Sequence, residues 1–84
     1  MPYITQERRS ELFDNGEYHT PETPGELNFM LTQLIVNYHH TKGASYTTCN
    51  DIVGALECCK QEFIRRVVNP YEDKKITENG DVYL

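Results

Sequence analysis

The chain has 84 residues, enough for one small domain. Hydrophobic residues make up 38% and charged ones 25%, a globular composition and not a disordered one. Eight Lys and Arg against 13 Asp and Glu leave a net charge of −5, which argues against an extended nucleic-acid partner needing a broad basic face.

No run approaches the roughly 18 apolar residues of a membrane span, so no membrane partner is expected. Met1-Pro2-Tyr3-Ile4 lacks the basic-then-apolar pattern of a secretory leader. Three cysteines are not a disulfide framework, and a reduced, cytoplasmic protein is expected. A chain this short without staples is hard to stabilise alone, so a homo-oligomer is expected.

Taken in chain order, Thr5 can cap a short helix over about 5–13, with Glu7 at its anion-favouring start. Residues 14–23 are polar and turn-rich, hence a loop. Thr23-Pro24-Gly25-Glu26 reads as a capping box with proline at the first helical position. Leu27, Leu31, Leu34, Ile35 and Tyr38 follow at helical spacing, and Gly43 is a natural stop. This predicts a helix over about 24–41.

A third helix is predicted over about 47–68, starting at a second box formed by Thr48 and Asp51. Cys49, Ile52, Val53, Leu56, Phe63 and Val67 make its apolar stripe. Pro70 is expected to weaken it, because the residue before proline avoids the α region. Asn69-Pro70-Tyr71-Glu72 then opens a short fourth helix over about 70–77, and Asn79-Gly80 is a turn. The predicted fold class is all-α: an antiparallel helical hairpin with a short N-terminal helix and a C-terminal arm, forming a single domain over 1–84.

Four positions do not fit a plain hairpin. Phe29 and Val36 lie opposite the main face of the second helix, to be covered within the chain or by another subunit. Lys60 falls inside the stripe of the third helix. It either snorkels, pairs with Glu57 or Glu26, or points into an anion pocket. Gly54 sits mid-helix, where close approach of another backbone would explain it.

Metal and catalytic readings are weak. His39-His40 and Cys58-Cys59 are adjacent pairs whose side chains diverge by about 100°, a poor chelating geometry. His19 stands apart from both, so no metal or cofactor is expected. Cys49 and Cys59 are expected to pack as small apolar residues, with Cys58 outward. No nucleophile elbow or phosphate-cradling glycine loop is present, and no enzyme activity is expected.

Binding remains. Over 60–75 the charge reverses: Lys60, Arg65, Arg66, Lys74 and Lys75 face Glu62, Glu72 and Asp73. A basic helix end that complements the dipole is one reading. A compact site for an anionic, nucleotide-like ligand is the other. Lys60, Arg65 and Arg66 would meet phosphates, Tyr71 or Tyr3 would stack a base, and Asn50 or Glu62 would read polar edges.

The segments Met1–Ile4, Pro24-Gly25-Glu26-Leu27-Asn28, Gly54-Ala55-Leu56-Glu57, Lys60 through Arg66, Pro70-Tyr71-Glu72 and Asn79 through Tyr83 together resemble a family of small bacteriophage and prophage proteins. The resemblance spans most of the chain except the loop at 14–22. It implies a host bacterial cytoplasm. By analogy with small helical phage proteins that disarm bacterial immunity, it implies sequestration of a nucleotide-derived messenger, a cyclic dinucleotide or an ADP-ribose derivative. A protein-binding inhibitor of a host defence protein, anchored at Phe29 and Val36, is the alternative. A small messenger-degrading enzyme with His39 or His40 as base is the second.

Overall fold

The computed structural model describes residues 4–12 and 19–83. Every element in them is helical and none is a strand, so the chain is all-α as predicted. The helices fall into two compact units divided between Lys42 and Gly43.

The first unit carries α1 (Gln6–Leu12) and α2 (Pro24–Lys42). Thr5 caps α1 as expected: its hydroxyl accepts from the Arg8 amide at 3.2 Å. Arg8 and Glu11 then pair along the surface at 2.8 Å. At the start of α2 the Thr23 hydroxyl accepts from the Glu26 amide at 3.1 Å, one half of the predicted box. The other half differs. Glu26 Oε1 reaches past the cap and accepts from the Glu22 amide at 3.0 Å. Gly43, at φ 90°, ends α2 in the left-handed region that a Cβ disfavours.

The second unit is one helical rod. It runs through α3 (Tyr46–Phe63), a π-helical turn (Ile64–Val68) and α4 (Asn69–Asn79). At about 1.5 Å per residue it is roughly 50 Å long. Its start corrects the expected Thr48–Asp51 box. The cap is Ser45, whose hydroxyl accepts from the Thr48 amide at 3.1 Å, while the Thr48 hydroxyl lies 3.1 Å from it. Thr48 is the one buried residue among those described.

Pro70 does not break the rod, a second correction. Proline has no amide hydrogen, and its ring would strike the carbonyl four residues back, that of Arg66. The turn before it widens instead. The Asn69 amide donates to the Ile64 carbonyl, five residues back, which opens the ladder where the ring must fit. Asn69 and Pro70 then start α4, which runs two residues beyond the predicted 77. It stops at Gly80, φ 85°, whose amide donates to the Ile76 carbonyl at 2.8 Å. Asp81 next accepts from the Tyr83 amide at 2.9 Å, a small side-chain-closed turn.

Among the described residues no apolar side chain is buried. Cys49 and Cys59, expected to pack as small apolar groups, are exposed together with Cys58, and all three are free thiols. The glycine at 54 is not explained by its own chain, because a Cβ there would meet nothing within 4 Å. Gly54→Ala is therefore expected to stabilise α3 by about 1 kcal/mol. Thermal unfolding of the variant checks this. A lowered midpoint would mean that another chain lies against that backbone.

Candidate functional site

Five of the seven residues expected to hold a ligand, Lys60, Glu62, Arg65, Arg66 and Tyr71, lie on the middle and C-terminal parts of the rod. Glu62, half-buried, is their hub. Its Oε1 accepts from Arg66 Nε at 2.6 Å and stands 3.9 Å from Arg65 Nη2. The spacing explains this. Residues three and four apart on a helix share a face, so one carboxylate reaches both forks. The two guanidinium groups are otherwise turned to solvent, with side chains 71% and 62% exposed. They form a basic ridge, held by one acid at its root.

Lys60 takes the surface pairing with Glu57, at 3.7 Å, among the three alternatives read from the sequence. Glu57 also accepts from Gln61 Nε2 at 2.9 Å. Tyr71 lies one helical turn beyond the arginines. The Lys75 ammonium sits 5.5 Å from its ring centroid and 3.2 Å from Glu78. A base stacking on that face of Tyr71 must displace a cation–π contact. Lys75 belongs to the basic segment but carries no role in the sequence reading. The Tyr–Lys spacing of four residues is the signal that marks it.

Asn50 is not brought to this ridge by its own chain. Fifteen positions separate it from Arg65, about 22 Å along the axis. Tyr3, the other stacking candidate, lies outside the described residues. The histidines at the end of α2 do not join a metal cluster, and no group of three His, Cys, Asp or Glu side chains converges among the described residues. A second cation–π contact sits in the first unit, Lys42 at 5.9 Å from the Tyr38 ring.

Glu62 and Glu57 are both held below the ordinary carboxylate value near 4.5. For Glu62 the largest cause is the hydrogen bond from Arg66; for Glu57 it is the hydrogen bond from Gln61, then the charge of Lys60. A carboxylate whose folded value is depressed supports the folded state above its unfolded value. That support is lost as the pH falls through the folded value. The helix content of the rod is therefore expected to decline below about pH 4.5, the direction set by Glu57 and Glu62. Circular dichroism across an acid titration checks it. Glu62→Gln should flatten part of the decline, and an unchanged profile would show that the pair contributes nothing to the helix.

A family model for a domain of unknown function, DUF6899, matches residues 1–82. The chain belongs to the DUF6899 family. No curated protein and no solved structure matches it. DUF6899 membership therefore covers both helical units and the whole ridge without naming a reaction. No described helix is long and apolar enough to cross a membrane.

Proposed function

We propose that the protein is a phage counter-defence protein of the host bacterial cytoplasm. It binds a nucleotide-derived immune messenger, a cyclic dinucleotide or an ADP-ribose derivative, and holds it as a homo-oligomer without cleaving it. One observation carries this reading. Arg65 and Arg66 share a single carboxylate, Glu62, and keep most of both guanidinium groups in solvent, with an aromatic ring at Tyr71 one turn away. Planar forks suit phosphate oxygens, and a nearby ring suits a base. The short basic stretch within an acidic chain favours a compact anion over a long polyanion, whose backbone would meet repulsion beyond the ridge.

Native mass spectrometry of protein purified from cells making candidate messengers tests the reading. An oligomer that carries a few hundred daltons of intact, releasable nucleotide is the expected result. Protein that copurifies with none, and takes up none of a panel of cyclic dinucleotides and ADP-ribose, would refute it. Recovery of a cleaved nucleotide would move the protein to the degrading-enzyme class.

A second reading has its own observation. Phe29 and Val36, on the far side of α2 from Leu27 and Leu31, are both exposed. Two large apolar side chains seven residues apart suit a partner's groove. In this reading the protein inhibits a host defence protein. Stoichiometric retention of one host protein, lost on Phe29→Ser, would favour it over messenger capture.

A further inference from the structure

We infer that the Tyr46–Asn79 rod is buried against the same rod of a second copy, lying antiparallel. The inference deepens the homo-oligomer of the proposed function by naming its surface, which takes in Tyr71, and the pairing forms without any ligand.

Cys49, Ile52, Leu56, Cys59 and Phe63 alternate at steps of three and four, the spacing that keeps one seam along a helix. A regular helix would let later residues drift off it. The π turn inserts one residue into the ladder between Phe63 and Asn69, rotating α4 by about 100° relative to α3. That rotation returns Tyr71 to the line of Ile52, Leu56 and Phe63. The device that accommodates Pro70 thus also prolongs the apolar seam.

Leu56 is 40% exposed, Phe63 59%, Val67 51% and Tyr71 58%. Pairing two seams would cover on the order of 500 Å² per copy, about 1,000 Å² in total, which is the threshold of a specific interface. No apolar side chain of the rod is buried among the described residues, so the seam is open to such a partner.

Charge sets the orientation. From Tyr46 to Cys59 the rod carries Asp51 and Glu57 and no Lys or Arg. From Lys60 to Lys75 basic residues outnumber acids. A parallel pair would set acid beside acid and base beside base. An antiparallel pair sets the acidic start of each copy along the basic half of the other.

The experiment uses the full chain without ligand. Sedimentation equilibrium of the wild-type protein is expected to give a dimer or an even multiple, and Leu56→Asp with Phe63→Asp is expected to give a monomer. Because that variant can lose its fold, orientation is read separately. Nitroxide labels go on Gln61→Cys or Tyr46→Cys in a chain whose three exposed cysteines are alanine. Pulsed dipolar spectroscopy should return under about 25 Å between copies for position 61 and about 50 Å for position 46. A wild-type monomer, or the absence of any distance between copies, overturns the proposal. Short distances at both positions overturn the antiparallel orientation. Loss of nucleotide binding alone, with the dimer intact, bears on the proposed function and leaves the pairing standing.

Discussion

Replacing Arg65 and Arg66 together with alanine is expected to abolish capture of a nucleotide-derived anion and to leave the helix folded. Each charge-assisted hydrogen bond to a phosphate contributes about 1.5–3 kcal/mol, so losing two weakens binding by roughly 10² to 10⁴-fold. The structural cost is small by comparison. Both arginines are exposed, and their pairings with Glu62 are solvent-screened surface contacts that contribute little to the fold. Alanine restores part of that through its helix propensity. Calorimetric titration with a panel of cyclic dinucleotides and ADP-ribose, beside circular dichroism, separates the two effects. Retained affinity in a folded double variant would remove these arginines from the site. Glu62→Gln then distinguishes two roles for the acid between them. If Glu62 competes with phosphate for the forks, as its contact with Arg66 implies, the variant binds more tightly. If Glu62 reads a polar edge of the ligand, it binds less tightly.

The second large effect is expected at Pro70. Pro70→Ala supplies the missing amide and removes the ring that obstructs the Arg66 carbonyl. The π turn then closes to a regular helix, and the rod gains stability, up to about 3 kcal/mol where proline costs most. Because the wide turn already relieves part of the clash, the gain falls below that limit. The same change turns Tyr71 by about 100° away from the line of Phe63, so self-association weakens while the isolated helix strengthens. Thermal unfolding and sedimentation of one variant therefore move in opposite senses. A melting point and a molar mass both unchanged would show that Pro70 does not control the turn.

Gly54→Ala and the acid titration probe smaller effects on the same rod. The glycine variant asks whether α3 has room on that side, and the pH profile asks whether the acids beneath the ridge hold the helix at neutrality.

Local signals are readable from the chain alone. Thr5 and Thr23 cap α1 and α2, Gly43 ends α2, and Gly80 ends α4, because caps and left-handed glycines depend on a few neighbouring residues. The all-α class follows from apolar periodicity near 3.6 in the two longer helices. The basic segment at 60–75 follows from composition. The start of α3 is not legible in the same way, since Ser45, Thr47 and Thr48 all offer a capping hydroxyl and only backbone geometry chooses Ser45.

The folded helical backbone decides what depends on partners chosen among equals. Lys60 has two acids in prospect and takes Glu57, the one a helical turn away. Glu62 reads as a ligand contact, yet it grips Arg66, because a four-residue step on a helix places donor and acceptor side by side. Asn50 and Arg65 share one predicted site, and a continuous rod separates them by about 22 Å. Above all, proline reads as a boundary in any local window, whereas the chain passes through it. A carbonyl at Ile64 bonding five residues ahead is a ladder shift that no single residue announces, and it makes two predicted helices one.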